Sequence, residues 1–310
     1  MGWTKLFALG AALALAGAGR AEDVRRKPFV LASRGPGELE PTAADAGARL
    51  AAAGFTVLGS YAPYPGAVIV AVTSEELLAA GATARFAGYG AAQRVAVTKV
   101  GDEVQVAYTN PLYMASAYRM KADLAPVATR LERALGRGEE FGPPEGKRDK
   151  DLRGYHYMVG MPYFDEPWKL ASYPSQEAAV AAVEAGLLAG RGGTRLVYRV
   201  TVSPEETLFG VGLSDGCGAD ASVMKEIDFK PLRSTGHLPY EVLVSKGEVY
   251  ALHAKFRIAV NFPDLSMMGD HSFMRIRCAP DSIESALTAA AASASAAPAK
   301  TQTAATQRER

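Results

Sequence analysis

Two segments of the chain repeat one pattern, and this repeat constrains the fold more than any other feature. Residues 94–120 and residues 240–265 each alternate apolar and polar residues, turn at a glycine, alternate again and continue into a stretch with aromatic residues and arginine. Alternation on both sides of a tight glycine turn is typical of a β-hairpin. Helical patterns and further strand patterns precede each hairpin. The sequence therefore predicts an α+β fold of two related units, each an antiparallel sheet covered on one face by helices. The alternative is a chance similarity between two hairpins.

The composition along the chain places the unit boundaries. The first unit is predicted over residues 22–135 and the second over residues 153–288. Between them, residues 136–152 are dominated by glycine, proline and charge, which is typical of a linker. Within the second unit, residues 155–161 and 272–278 are predicted as strands.

Serines mark the beginnings of two predicted helices. Ser74 and Ser175 each precede an apolar helical pattern that has a glutamate in its first turn. A serine side chain at this position accepts a hydrogen bond from a free backbone N–H of the first turn. Both serines are therefore predicted to be N-caps.

The two ends of the chain are not expected to belong to the fold. Residues 1–21 have a basic start, a short apolar run and small residues before Glu22, which is the pattern of a cleaved secretory signal peptide. The apolar run is shorter than the roughly 20 residues that a membrane-spanning helix needs. Residues 289–310 are rich in alanine, serine and threonine and are predicted to be a disordered tail. The mature protein is thus expected in the periplasm or outside the cell, without a membrane span, unless the leader is retained as an anchor.

The overall composition excludes some kinds of partner. Apolar residues make up 48% of the chain, charged residues 22%, and the formal net charge is +1. A near-neutral chain lacks the global positive charge that nucleic-acid-binding proteins carry. The expected partners are therefore a small ligand, a metal ion or an envelope protein, and not a nucleic acid.

A family resemblance covers about residues 29–135. A helical pattern leads into residues 54–58 (Gly-Phe-Thr-Val-Leu), a hairpin follows, and residues 108–111 read Tyr-Thr-Asn-Pro. This order resembles the domain of unknown function 302 family, in which an aromatic-Gly-Asn-Pro-like segment follows a strand; here threonine replaces the glycine. Residues 209–212 (Phe-Gly-Val-Gly) and 238–242 (Leu-Pro-Tyr-Glu-Val) resemble a second, more diverged copy. The resemblance implies a small α+β fold that tends to pair with itself, and it implies no established reaction.

The chain has two cysteines, Cys217 and Cys278. An exported protein meets oxidising conditions, so the two most simply form one disulfide. The alternative is a redox-active pair, but the Cys-x-x-Cys spacing typical of such pairs is absent from the sequence.

A segment rich in methionine and histidine is the strongest indication of a metal. Thioether and imidazole ligands together suit copper or another soft metal. The candidate ligands are Met267, Met268 and His271, which upstream His237 and His253 could complete. The alternative is that the methionines fill a core and that the histidine is a hydrogen-bonded loop residue.

Aromatic and arginine residues provide a second candidate site. Tyr163 and Trp168 belong to an aromatic cluster that could line an apolar pocket between the units. Arg119 and Arg257 follow the two predicted hairpins, and each could clamp an anionic ligand. The alternative is an aromatic interface core with ion-paired or exposed arginines.

The motif search favours binding over catalysis. No phosphate-binding loop, dinucleotide fingerprint, nucleophile elbow or zinc-protease motif occurs in the sequence. The first hypothesis is an exported periplasmic binding or accessory protein with a ligand or metal site in the second unit. The second is a hydrolase-type or redox-type enzyme that uses Cys217, His237 and Glu226. The third is a structural docking module of an envelope complex.

Overall fold

The computed structural model describes residues 24–292. The predicted signal peptide and most of the predicted tail, residues 293–310, lie outside the described residues. The part described contains α-helices and antiparallel sheets, so the predicted α+β class is confirmed. No helix within it is long and apolar enough to cross a membrane.

The secondary structure elements are as follows. The strands are β1 (Arg25–Arg26), β2 (Phe29–Pro36), β3 (Thr56–Tyr61), β4 (Ala67–Thr73), β5 (Gln93–Val100), β6 (Glu103–Thr109), β7 (Glu140–Phe141), β8 (Lys147–Arg148), β9 (Trp168–Ser172), β10 (Thr194–Ser203), β11 (Glu206–Leu213), β12 (Tyr240–Ser245) and β13 (Glu248–Ala251). The helices are α1 (Leu39–Ala52), α2 (Glu75–Gly81), α3 (Pro111–Ala117), α4 (Ala125–Leu135), α5 (Asp149–Arg153), α6 (Gln176–Leu188), α7 (Asp220–Ile227), α8 (Ala254–Asn261) and α9 (Ala279–Ala291).

The two large sheets have corresponding strand orders. The six-stranded sheet runs β3-β4-β5-β6-β2-β7, and the five-stranded sheet runs β10-β11-β12-β13-β9. Apart from β7, each strand of the first sheet has a counterpart at the same place in the second. The helices also fall at matching points, since α1, α2 and α3 follow β2, β4 and β6 as α6, α7 and α8 follow β9, β11 and β13. The two large sheets therefore share a strand order and the placement of three helices.

The two hairpins form because their turns suit the strands on either side. Gly101 lies between β5 and β6 with φ +62°, and Gly247 lies between β12 and β13 with φ +83°. Glycine adopts this left-handed conformation without the steric cost that other residues pay. The hairpins predicted from the repeat are confirmed.

The first core cluster joins both halves of the chain. Leu50 of α1 and Leu131 of α4 pack with Val95 of β5, so these helices cover one face of the six-stranded sheet. The same cluster contains Leu208 and Leu243, which belong to the five-stranded sheet. One face of the second sheet is therefore buried against the first half.

The second core cluster also joins both halves, but here the helices and most of the residues belong to the second half. Val183 of α6 packs with Phe209 and Val242 of the five-stranded sheet. Ile69 and Ala96 of the six-stranded sheet belong to this cluster as well. Successive residues of a strand point to opposite faces, so Ala96 lies on the face opposite to Val95. Each sheet thus carries its own helices on one face and contacts the other half with the second face.

Residues 136–152, predicted as a linker, carry local structure. β7 extends the six-stranded sheet by pairing with β2, so that Phe29 stands opposite Phe141. β8 pairs with β1 as a two-stranded sheet. Most of the segment therefore packs on the first half of the chain.

The strand predicted over residues 155–161 is wrong, because the segment forms turns. The Met161 N–H donates to the Met158 carbonyl at 3.0 Å, and Gly160 adopts φ +83°. The Tyr157 hydroxyl donates to the Leu265 carbonyl at 2.8 Å, so the aromatic pattern anchors a loop instead of lining a strand.

The strand predicted over residues 272–278 is also wrong. Phe273–Ile276 form a 3₁₀ turn, and α9 begins three residues later at Ala279. Pro280 at the start of α9 favours a helix beginning here, because its ring fixes φ near the helical value. α9 continues to Ala291 and so includes the first residues of the predicted tail.

The two cysteines lie at disulfide distance. Cys217 is in a 3₁₀ turn before α7, Cys278 directly precedes α9, and their Cα atoms are 6.2 Å apart. This separation is within the range of protein disulfides. The structure therefore places the two cysteines at the distance that the predicted disulfide requires, between the end of the fold and the start of α7.

Candidate functional site

A buried cluster of charges joins the two sheets. Arg94 of β5 donates from Nη1 to Glu241 Oε1 of β12 at 2.5 Å. Arg257 of α8 donates from Nε to the other oxygen, Glu241 Oε2, at 3.1 Å. All three side chains are only 1% exposed. We call Arg94, Glu241 and Arg257 the charge cluster; it is a single carboxylate bridging two guanidinium groups.

Arg94 and Glu241 lie on corresponding strands, and each stands opposite a small residue. Arg94 stands opposite Ala71 of β4, and Glu241 stands opposite Gly210 of β11. A Cβ on Gly210 would lie 2.2 Å from Cε1 of the Tyr198 ring, so the ring lies directly on this strand. The small residues opposite Arg94 and Glu241 therefore leave room for neighbouring side chains such as that of Tyr198.

His237 belongs to the same buried region. It ends the 3₁₀ turn Thr235–His237, and both ring nitrogens lie 3.4 Å from Arg257 Nη1. Burial lowers the pKa of His237 well below its ordinary value, and the charge of Arg257 lowers it further. The imidazole is therefore neutral at neutral pH. The structure thus brings together two predicted site residues, His237 and Arg257.

Burial and the charge of Glu241 raise the pKa of four tyrosines. Their side chains are at most 2% exposed, and their hydroxyls find no hydrogen-bond partner within residues 24–292. We call them the tyrosine group: Tyr89, Tyr118, Tyr198 and Tyr240.

An open cleft lies on the other side of the turn that carries His237. Its volume is about 350 Å³. It is bounded by the β3–β4 turn, the end of β5, α7 and the loop after α7, so that both halves contribute. We call it the seam cleft; the polar residues that line it are Tyr64, Thr98, Lys99, Lys225, Asp228 and Arg233.

The seam cleft carries excess positive charge. Lys99, Lys225 and Arg233 form no ion pair with a carboxylate of the described chain. The one acidic lining residue, Asp228, is 7% exposed, and its oxygens accept from the Ser234 N–H at 2.7 Å and the Thr235 hydroxyl at 3.1 Å. The carboxylate of Asp228 thus holds the loop. Lys99, Lys225 and Arg233, whose Nη1 donates to the Asp228 carbonyl, line the cleft.

Burial raises the pKa of Asp228, the acidic residue that lines this cleft, to about 6. The hydrogen bond from the Ser234 N–H and the charge of Arg233 act in the opposite direction and lower this pKa. Thr235 connects the cleft to the interior, since its hydroxyl is 2.9 Å from the Thr98 hydroxyl and 3.3 Å from the Tyr64 hydroxyl.

The predicted metal ligands have separate surroundings. His237 is buried beside Arg257, whereas His253 caps α8 and its ring packs at a tilt against Trp168, with ring centroids 4.4 Å apart. His271 stacks on Phe229 at 4.2 Å, and its Nδ1 is 2.9 Å from the Glu226 carbonyl.

The methionines of the predicted metal site lie near the surface. Met268 is 76% exposed, and Met267 lines a small apolar cleft with Tyr157 and Phe273. Across residues 24–292 no group of three or more histidine, cysteine, aspartate or glutamate side chains is arranged to hold a metal ion.

The remaining predicted ligand residues lie around the loop before β9. Arg119 Nη1 is 2.8 Å from Asp165 Oδ2, and its Nε donates to the Arg153 carbonyl. Tyr163 is 38% exposed and stacks on His156. Arg119 thus makes its contacts near the surface, and it shares no hydrogen-bond partner with Arg257.

The residues of the enzyme hypothesis have different partners. Cys217 is paired with Cys278, His237 contacts Arg257, and Glu226 lies 3.8 Å from Arg275. A cysteine in a disulfide has no thiolate to offer as a nucleophile.

Comparison of the chain with known protein families, curated proteins and solved structures found no match. The resemblance to the domain of unknown function 302 family therefore stays a prediction.

Proposed function

We propose that the protein is an exported binding or accessory protein and that its seam cleft takes a small anion of the carboxylate or phosphate class. The observation that carries the proposal is the set of three cations, Lys99, Lys225 and Arg233, that face the cleft without ion-pair partners. A bound anion would neutralise part of this positive charge.

The size and chemistry of the cleft support a small ligand. A volume of about 350 Å³ falls at the lower end of the range for small-molecule sites. The Thr98 and Tyr64 hydroxyls border the same space as Lys99. Hydrogen bonds from charged donors to an anion are about twice as strong as neutral ones. The site includes residues of α7 and its following loop, which belong to the second half.

The proposed location follows from the leader pattern and the paired cysteines. Export to the periplasm or the medium supplies the oxidising conditions in which Cys217 and Cys278 stay bonded. The proposed duplication, as two diverged copies of a domain-of-unknown-function-302-like unit, is supported by the corresponding strand orders of the two sheets.

Calorimetric titration of the exported chain tests the proposal. The panel would contain inorganic phosphate, citrate, succinate, a neutral sugar and a diamine at constant ionic strength. We expect saturable binding of one or more anions and none of the sugar or the diamine. Binding of the diamine alone would contradict the proposal.

A soft metal is a second candidate ligand, supported by the environment of His271. Its Nδ1 faces the Glu226 carbonyl, an arrangement that fixes the proton on Nδ1 and leaves Nε2 as a free ligand atom. Met268 is exposed in the same segment. Anaerobic titration with Cu(I) would show binding that His271→Ala abolishes and His156→Ala preserves; equal affinity in both variants would remove this site.

An envelope docking role is the third proposal. It is supported by Val159, which is 95% exposed, and the neighbouring Met158 at 46%. Cross-linking in cell envelopes from a photoreactive residue at position 159 would yield a defined adduct, whereas one at position 188 would not. Equal labelling from both positions would contradict it.

A further inference from the structure

A second open cleft lies between the two halves of the described chain. Its volume is about 580 Å³, against about 350 Å³ for the seam cleft, and the two clefts have no lining residue in common. It is bounded by the loop after α2, by the turn between β10 and β11 and by the turn between β12 and β13. We call it the hairpin cleft. Its size falls within the usual range of small-molecule sites.

Serines and glutamates alternate across one end of the five-stranded sheet, beside this cleft. Five directly opposed residues, one from each strand, form the row Ser203, Glu206, Ser245, Glu248 and Ser172. Directly opposed residues lie on the same face of a sheet, and here it is the face of Leu208, which packs against the first half. Glu206 Oε1 accepts from the Ser245 hydroxyl at 2.9 Å. Glu248 Oε1 accepts from the Ser172 hydroxyl at 2.8 Å, so both carboxylates are held in place by a serine.

Most charged groups of the hairpin cleft are already paired. The pairs are Glu205 with Lys246 at 3.2 Å and Glu248 with Lys169 at 2.6 Å. The two remaining charged lining residues, Glu206 and Arg85, form no ion pair with any residue of the described chain. The cleft therefore presents one carboxylate and one guanidinium that have no ionic partner there.

The Glu206 carboxylate is half-buried, and one of its oxygens is unused. Oε1 accepts from Ser245, whereas Oε2 accepts from no group of residues 24–292. A Cβ on Gly88 would lie 3.2 Å from Oε2 and 3.0 Å from Leu243 Cδ1, so the carboxylate lies close against the backbone of the first half. Burial raises the pKa of Glu206, while the hydrogen bond from Ser245 lowers it. A primary ammonium supplies both the N–H donors and the positive charge that this oxygen lacks.

Arg85 belongs to the wall of the cleft that the first half contributes. It is exposed, and its guanidinium carbon lies 4.4 Å from the centroid of the Phe86 ring. Phe86 is 2% exposed, packs edge-on against Tyr250 at 5.1 Å and adopts φ +64°, which is unfavourable for a bulky side chain. Strained residues of this kind are concentrated at ligand sites. The Arg85 guanidinium donates no hydrogen bond within the described chain, so stacking orients it while its N–H groups stay free for a carboxylate.

We propose that the hairpin cleft binds a zwitterion that has a primary ammonium and a carboxylate, the chemistry shared by free amino acids and dipeptides. Glu206 takes the ammonium, Arg85 takes the carboxylate, and Tyr250, which lines the same cleft, contacts an apolar side chain. A plain anion would meet the charge of Glu206, and a plain amine would meet that of Arg85, so the cleft discriminates against both. The proposal does not depend on an anion in the seam cleft.

Calorimetric titration of the full chain with L-phenylalanine and with the dipeptide alanyl-phenylalanine tests the proposal. We expect saturable binding of at least one of the two, and the comparison shows whether the ligand is an amino acid or a dipeptide. Phenethylamine and phenylpropionate, which each carry one of the two charges, are then added as competitors at equal concentration. Neither should displace the bound zwitterion, even where phenylpropionate occupies the seam cleft. Absence of zwitterion binding, or displacement by either analogue, would overturn the proposal.

Two variants assign the ligand groups to their residues. Arg85→Ala should weaken zwitterion binding about tenfold and abolish the preference over phenethylamine, because the carboxylate then has no partner. Glu206→Gln should weaken zwitterion binding by a similar factor. The matched control is Glu184→Gln, which should bind as the unmodified protein does, since neither Glu184 nor its ion-pair partner Arg199 lines the cleft. Equal affinity of all three variants would contradict the proposal; if Glu206→Gln fails to fold, Arg85→Ala at its exposed position decides the question.

Discussion

Arg94 of β5 and Glu241 of β12 lie on corresponding strands of the two sheets, and they pair with each other at 2.5 Å. The opposite charges in this chain make the two halves complementary and not interchangeable. On the proposed duplication, the junction has diverged so that one half supplies the guanidinium and the other supplies the carboxylate.

Glu241→Gln is expected to lower the free energy of unfolding by about 3–5 kcal/mol, because it leaves two buried guanidinium groups without their carboxylate. Denaturant unfolding measures the change. The matched control is Glu205→Gln, whose ion pair with Lys246 is largely exposed and contributes at most about 1 kcal/mol. A similar small loss in both variants would show that the charge cluster does not hold the halves together.

The Cys217–Cys278 bond is expected to stabilise the fold by about 4 kcal/mol, the chain-entropy value for a loop of this length; the cysteines are 61 residues apart. Cys217→Ser combined with Cys278→Ser removes it, and reductant should lower the thermal midpoint of the unmodified protein alone. Mass spectrometry of the non-reduced exported protein should find no free thiol. Two alkylatable thiols would contradict the account.

The contribution of Asp220 to the free energy of unfolding should fall as the pH rises from about 4 to about 7. Burial raises the pKa of Asp220 from 3.8 to about 7, so over this range the folded state keeps a proton that the unfolded state has lost. Asp220→Asn cannot ionise, and its stability relative to the unmodified protein should increase with pH by roughly a few kcal/mol. Urea unfolding between pH 4 and pH 8 measures this difference. Asp102→Asn, an exposed hairpin substitution, should show no such trend, and a flat profile for Asp220→Asn would refute the prediction.

Local patterns predict much of this fold. Ser74 and Ser175 are the N-caps of α2 and α6, as expected, and accept hydrogen bonds from Leu77 and Ala178. These features depend on neighbours within a few residues, which the sequence shows directly. The pairing of Cys217 with Cys278 follows because the chain has no other cysteines.

The seam cleft depends on contacts between distant parts of the chain. Lys99 lies at a hairpin end, Lys225 on a helix and Arg233 in a loop, and alone each is typical of a solvated surface. Only the docking of the two halves brings them to one cavity. Arg94 gives a partial signal, because it interrupts an otherwise apolar alternation and no charged neighbour in sequence explains its burial.

The most direct test of the account is the affinity of the seam cleft for its best anion, compared between variants of two lysines near corresponding hairpins. Lys99 lies near the end of β5 and Lys246 directly follows β12, but of the two only Lys99 lines the seam cleft. Calorimetry should show about tenfold weaker binding for Lys99→Ala and for Arg233→Ala, and unchanged binding for Lys246→Ala. Equal affinity in all three variants would contradict the proposed site.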